Sequence, residues 1–430
     1  MRGDIIAACM AVAVIAFLFA VMLGFVDGSE RYDIDMKYED WTPIEGEVLG
    51  TEGPIEIRNG MIHAVGVGKA TATKADGSTI KIRISAAHAD LILMNGQSNG
   101  AYYGMGDYPT AYDKTIAPVP ALGTCFYFGY TDRMPYHETQ NVSSCKIYDM
   151  VNADTGKLRV ADKGPGFCKE YSESTGKKTI WISLAIPSKR IAAWDQPNGS
   201  AWQQNIVCMN KANELLKDTG FTIDKTIVLW AQGESDYLHD TGYAHYLTSF
   251  RTLHDSAPAA WGHDIAGWYL MEGRTAKVGW VNSAFEELAE TMPDVHLATT
   301  SSLVDSFTLA NGLLNTDELH YTQRGDNALA DAAARSAAGV QGIAPIYLIQ
   351  ATLTAEQGSD PEAPTMAECY RTDGSRILAT ATWDMGISTA EVGTHIIGGS
   401  VDGITESMTV QYTAADPVLI VTVTAAEDEP

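Results

Sequence analysis

The run Leu91-Ile92-Leu93-Met94-Asn95-Gly96-Gln97-Ser98-Asn99 decides how this chain is read. Four apolar residues lead into a Gly-containing turn that carries one hydroxyl and several side-chain amides. A strand that stops in this way delivers its serine to the carboxyl edge of a parallel sheet, where open α/β folds bind their ligands. Ser98 is therefore the candidate nucleophile. A serine after a strand is also an ordinary turn or capping residue, so the reading depends on what else converges on the same edge.

Two further stretches supply that company. In Asp317-Glu318-Leu319-His320 a carboxylate precedes an imidazole by three residues, a spacing that on a helical turn puts both on one side, as a base and its orienting group. Between the two ends lies Trp230-Ala231-Gln232-Gly233-Glu234-Ser235-Asp236, which follows the apolar Thr226-Ile227-Val228-Leu229 and reads as a second strand end bearing polar groups. Strand signals at residues 179–184, 226–229, 265–270 and 295–297 alternate with helix signals near residues 201–219, 243–254, 278–291 and 324–338. That rhythm predicts a parallel sheet covered by helices on both faces. Residues 101–173 are rich in Tyr, Gly and Asp and poorly periodic, either an insertion that walls the substrate or a surface excursion.

The three blocks, in this order, resemble the SGNH hydrolases, and within them the sialate O-acetylesterase and acetylxylan-esterase-like branch, over residues 89–340. The resemblance implies a three-layer α/β/α, flavodoxin-like domain. It also implies that Ser98 is the nucleophile, His320 the general base and Asp317 the group that orients the imidazole. The Ser98 backbone N–H and the Gln232 side-chain amide become oxyanion donors. Gln97, Asn99 and Trp194 become candidate substrate contacts, while Glu234 and Asp236 read as structural groups bonding nearby backbone. Neither metal nor organic cofactor is implied.

One block departs from the pattern. Relatives carry a Gly-Gly-Thr turn followed by Trp, whereas this chain has Pro187-Ser188-Lys189-Arg190-Ile191-Ala192-Ala193-Trp194. Proline has no N–H to give, so a third oxyanion donor falls to Ser188 on a more restricted backbone. Lys189 and Arg190 either face an acidic sugar or are solvated loop cations. Trp194 either stacks on a sugar or packs in the core.

The flanks have their own character. Residues 5–26 are uncharged and apolar. At about 1.5 Å per residue they reach roughly 33 Å, enough for a bilayer core of about 30 Å. Residues 1–26 are thus expected to be a membrane anchor with the remainder extracytoplasmic, a cleaved secretory signal being the rival. Residues 27–88 alternate apolar and polar positions between glycines, and residues 341–430 return to β-like patterning before an acidic tail. Both flanks resemble bacterial Ig-like β-sandwich domains, of group 2 and group 4 respectively. Cys125, Cys145, Cys168 and Cys208 form two disulfides or stay buried thiols, with Cys369 left over.

With 54 acidic against 29 basic residues, the formal net charge of −25 excludes a nucleic-acid binder, which needs clustered Lys and Arg. The pairs His239-Asp240, His254-Asp255 and His263-Asp264 lack the spacing of a metal-ligand motif. The expectation is a membrane-anchored carbohydrate O-acetylesterase acting on an acetylated sugar. Its rivals are a lipase-like esterase of the same superfamily and a glycan-binding adhesin whose hydrolase domain is inactive. The sequence leaves the oligomeric state open.

Overall fold

The computed structural model describes residues 31–101, 113–134, 142–384, 389–410 and 417–425. The expected anchor lies outside these residues. Among the described residues no helix is long and apolar enough to cross a membrane. The chain divides into two compact units, residues 1–85 and 86–430.

The first unit is all β. Strands Ile34–Lys37, Thr79–Ser85, Gly68–Lys74 and Val48–Glu52 form one sheet, and Trp41–Pro43, Met61–Ala64 and Ile55–Arg58 a second. Along Thr79–Ser85, Ile82 and Ile84 are buried while Lys81 and Arg83 are exposed, the period-two pattern of a half-buried strand. The buried set joins Met36, Ala70, Ala72, Ile55, Ile62 and Ala64 into one core between the two sheets.

The second unit is built on seven strands: β1 (Ala87–Gly96), β2 (Cys125–Gly129), β3 (Lys146–Asp149), β4 (Lys178–Ser183), β5 (Phe221–Ala231), β6 (Ile265–Met271) and β7 (Val295–Thr299). Their order is β3-β2-β4-β1-β5-β6-β7. Every neighbouring pair is parallel except β3, which runs antiparallel to β2. The helices that matter for the site are α1 (Lys163–Thr175), α2 (Ser200–Lys217), α3 (Glu234–Leu238), α4 (Tyr243–Trp261), α5 (Trp280–Thr291) and α6 (Gln323–Ala338).

The apolar run that opens the reading is continuous because β1 is covered on both faces. Successive side chains point to opposite sides of a strand. Ala89, Leu91 and Leu93 therefore join Val228 and Trp230 of β5 under α2, α4 and α5. Ile92 and Met94 join Ile227, Leu229 and Ala231 under α1 and α6. From β1 the chain moves to one side through β2 and β4, then crosses to the other with β5. The switch in direction puts the carboxyl ends of β1 and β5 side by side, where this class of sheet forms its crevice.

Strands β8 (Ile346–Glu356), β9 (Met366–Arg371), β10 (Arg376–Trp383), β11 (Gly393–Val401) and β12 (Val418–Thr424) close into a barrel. β8 and β12 pair in parallel and seal the edges that two separate sheets would leave open. The barrel also shares a core with the catalytic layers. Tyr347 and Tyr370 belong to the α1/α6 cluster, the Tyr347 hydroxyl lies 2.7 Å from Ser306 Oγ, and Thr372 Oγ1 donates to Asp331 Oδ2 of α6 at 2.9 Å. Cys125, Cys145, Cys168, Cys208 and Cys369 are all free and buried, so the thiol alternative is the one realised.

Candidate active site

At the end of β1, Gly96 takes φ +120°, and the N–H of Gln97 donates to the carbonyl of Ala231 at 2.8 Å. A Cβ at Gly96 would stand 2.0 Å from that same carbonyl oxygen, so only glycine lets the two strand ends approach this closely. The N–H groups of Gly100 and Ala101 then return to the Gln97 carbonyl at 2.8 and 2.9 Å. Ser98 rides on this tight turn, 6% exposed.

Its neighbours are cross-ties. Gln97 Oε1 accepts from the N–H groups of Gly233 and Ser235 at 3.4 and 3.3 Å and from Gln232 Nε2 at 3.3 Å. Asn99 Nδ2 donates to Glu234 Oε1 at 2.5 Å and to the Leu319 carbonyl at 3.3 Å. Both amides are buried, and a buried amide must find partners within the fold. In this structure Gln97 and Asn99, expected as substrate contacts, bond protein groups. These side chains lace the nucleophile turn to the second block and to the segment carrying His320.

Gln232 is committed in the same way. Its Oε1 accepts from the Tyr246 hydroxyl at 2.6 Å, and its Nε2 faces the Lys189 carbonyl at 3.1 Å, the Asp236 carboxylate and Gln97. Two amide protons already have three acceptors, so in this conformation the expected oxyanion donor must first release one of them. Asp236 Oδ2 also accepts from the Ile191 N–H at 2.8 Å. Together Gln232 and Asp236 staple the 187–191 turn to α3. As expected, Asp236 and Glu234 both bond nearby backbone, and Glu234 also bonds the Asn99 side chain.

Within that turn Ser188 adopts φ +60°, the left-handed conformation that glycine occupies without strain and that costs another residue about 1–2 kcal/mol. The side chain arrives at the glycine position of the family pattern, and the two staples hold it there. Arg190 is exposed and Lys189 half-buried. Trp194 is 1% exposed, donates from Nε1 to Asn205 Oδ1 at 3.1 Å and meets Trp230 edge-on at 5.1 Å between ring centres. A ring so enclosed cannot stack on a sugar, so of the two expected roles core packing is the one realised.

Asp317 and His320 meet as their spacing predicts, though by a different route. The segment is a turn, with Glu318 at φ +53° and the Asn315 N–H donating to the His320 carbonyl at 2.9 Å. Asp317 Oδ1 accepts from the N–H groups of Leu319 and His320, both at 3.0 Å, while Oδ2 lies 2.6 Å from His320 Nδ1. Arg274 Nη1 donates to the Glu318 carbonyl at 2.8 Å and braces the turn from outside. Burial alone would raise the Asp317 carboxyl. The hydrogen bonds from the His320 ring and the two N–H groups outweigh it and hold the carboxyl below its ordinary value. An ionised Asp317 keeps the proton of the neutral ring on Nδ1 and leaves Nε2 as the basic nitrogen.

A small cavity behind the turn is lined by Asn99, Lys163, Gln232, Glu234, Glu272 and Tyr321. Burial pushes the carboxyls of Glu234 and Asp326 up; hydrogen bonds from the Glu234 N–H and from Asn99 offset this in part at Glu234, and the Lys163 ammonium does so at Asp326. Lys163, Asp326, Glu272 and Arg274 are absent from the sequence reading. Only Lys163 had an available signal: it follows Asp162 and precedes Gly164-Pro165, an N-cap with a proline in the first turn.

Residues 88–338, more than half of the chain, match the family model described as carbohydrate esterase, sialic acid-specific acetylesterase. A search of curated proteins returned no match. Among solved structures, a carbohydrate acetylesterase from Xanthomonas citri is 13% identical, with 90% of this chain and 95% of that one covered and a TM-score of 0.39. NanS is 10% identical over 60% and 97% of the two chains, TM-score 0.40. A protein from Arabidopsis thaliana is 14% identical over 59% and 99%, TM-score 0.38. The family match spans all three blocks of the site, and the chain accordingly belongs to the sialic acid-specific acetylesterase family of carbohydrate esterases.

Proposed function

We propose that this esterase removes acetyl groups from a sugar by a two-step acyl-enzyme route in which Ser98 attacks, His320 moves the proton and Asp317 holds the imidazole. His320 Nε2 takes the Ser98 hydroxyl proton as Oγ bonds to the acetyl carbon. The resulting imidazolium is stabilised by Asp317, and the Ser98 N–H faces the oxyanion. Collapse breaks the bond to the sugar oxygen, which leaves with the proton from His320. Water then repeats the sequence on the acetyl-serine and releases acetate. The observation that carries the reading is the 2.6 Å contact between Asp317 and His320 on a segment that Asn99 ties to the nucleophile turn.

The hydropathy of residues 5–26 supports placing the enzyme on the outer face of a membrane through an N-terminal anchor. The substrate is an acetylated saccharide, and Arg190 and Lys189 beside the strained turn favour an acidic one. The committed amide of Gln232 favours one alternative, a sugar-binding module with a silent hydrolase site. Acetate release from acetylated sialosides, xylan and an aryl acetate by wild type and Ser98→Ala decides between them. The proposal expects acetate from wild type and at least a thousandfold loss in the variant; equal rates with retained sugar binding leave the silent module.

A further inference from the structure

The segments that deliver Ser98 and His320 come from opposite ends of the catalytic layers, and a third segment joins them. Lys163, the first residue of α1, is 6% exposed. Its Nζ donates to the carbonyl of Asn99 at 2.7 Å and to the carboxylate of Asp326. It also lies 5.3 Å from the centre of the Tyr321 ring. An ammonium has three protons, and the two acceptors and the ring face account for them. Asn99 follows the nucleophile directly. Asp326 stands in the first turn of α6, which starts three residues after His320.

A second tie runs beside it. The Asp162 N–H donates to Gln323 Oε1 at 3.0 Å, and Gln323 Nε2 returns a bond to the Asp162 carbonyl at 2.8 Å. The backbone ahead of Lys163 is thus clamped to the start of α6 while its side chain holds the turn after Ser98. Side-chain exposure across the Lys163–Asp326 pair is 8% and 2%. Water neither screens nor replaces such a pair, so its geometry is rigid and its charges are felt nearby.

We infer that Lys163 is a positioning residue for the esterase reaction: with Asp326 it fixes the Ser98 turn against the His320 segment and sets the charge around the base. The inference rests on the Ser98–His320 reading above. Around His320 stand Asp317, bonded to it on its own turn, and Glu234 of α3 and Asp326 of α6 within its electrostatic reach; Lys163 of α1 pairs with Asp326, and the Arg274 guanidinium is bound at Glu318. Removing Lys163 takes a cation from this set and removing Asp326 takes an anion. The two losses act on the acid limb of kcat/KM in opposite senses.

The test measures aryl acetate hydrolysis, its pH profile and thermal stability for wild type, Ser98→Ala, Lys163→Met, Asp326→Asn and the double Lys163→Met/Asp326→Asn variant. The double variant removes both charges together, which spares the fold an unpaired buried ion. It should melt close to wild type, lose at least thirtyfold in kcat and keep KM within threefold. The acid limb of Lys163→Met should lie above that of Asp326→Asn. A folded double variant within threefold of wild-type kcat overturns the inference, as do single variants whose limbs coincide. Should the double fail to fold, Lys163→Arg decides: at least tenfold lower kcat at unchanged KM supports positioning by the compact ammonium, and full activity overturns it. If wild type and Ser98→Ala hydrolyse equally, the reaction reading itself fails; a wide gap between them beside an active double variant removes Lys163 alone.

Discussion

Asn99 and Leu319 are joined by a 3.3 Å hydrogen bond from the Asn99 side-chain amide to the Leu319 carbonyl, across 220 residues of sequence. The residue after the candidate nucleophile is thereby tied to the residue before the candidate base. The same nitrogen also reaches Glu234, so one amide ties the three blocks together. Asn99→Ala leaves two partly buried acceptors unsatisfied, and losses of this kind cost up to about 1–3 kcal/mol each. Applied to the attack geometry, this lowers kcat by roughly ten- to a hundredfold. Asn99→Asp should do worse, because it sets a second carboxylate against Glu234. Steady-state kinetics of both variants, with Tm as a control for folding, check the order.

Asp317→Asn keeps the shape of the turn and removes the charge that fixes the His320 tautomer. By analogy with other serine triads, kcat falls by about 10³- to 10⁴-fold with little change in KM. The same carboxyl makes a pH statement about stability. Its folded value lies below the ordinary one, so its contribution is complete above about pH 4, the unfolded carboxyl value, and is lost as pH falls through the folded value. Urea unfolding below pH 4 should therefore weaken wild type more steeply than Asp317→Asn.

The motifs were legible because each is a local strand end whose polar residues follow an apolar run. Lys163 was missed despite the N-cap signal at Asp162, for two physical reasons. Strand β2 is buried at all five positions, so Cys125-Phe126-Tyr127-Phe128-Gly129 shows no alternation, and α1 opens with Gly164-Pro165-Gly166, which weakens any helical signal. A long stretch that reads as an insertion thus contains a strand of the central sheet and the helix carrying Lys163. The helical reading of residues 317–320 missed the positive φ of Glu318, yet the pair still forms because a short Asp side chain can cap two N–H groups of its own turn. For Trp194 the core was one of two readings, and the sequence could not choose between them because its burial is decided by Trp230 and Asn205 from distant elements.

That burial gives a clean prediction. Trp194→Ala should act on the fold, at about 3–5 kcal/mol for emptying a packed aromatic site, and leave KM for saccharides within about threefold wherever the protein remains folded. Denaturant unfolding and kinetics below the midpoint separate the two effects. A large rise in KM at unchanged stability would restore the sugar-stacking role.

Ser188→Gly tests the departure from the family turn. The left-handed backbone at φ +60° strains a serine, and glycine relieves that strain while adding freedom to the unfolded chain. The balance should stabilise by about 0.5–1 kcal/mol, read as a higher urea midpoint at constant m. Activity should hold or rise, because the donor of the peptide N–H is unchanged and the staples from Gln232 and Asp236 remain.

Asp331 connects the helix after His320 to the barrel through Thr372, and burial pushes its carboxyl up to about 7. A carboxyl raised on folding binds more protons folded than unfolded between about pH 4 and pH 7, so it lowers stability progressively across that window and by a constant amount above it. Asp331→Asn removes the titration while its amide oxygen can still accept from the Thr372 hydroxyl. The variant should match wild type near pH 4 and exceed it near pH 8, by an amount on the order of a few kcal/mol at most. Thermal melts at the two pH values measure the crossing, and a constant difference between the proteins would place the destabilising charge elsewhere on the α6–barrel contact.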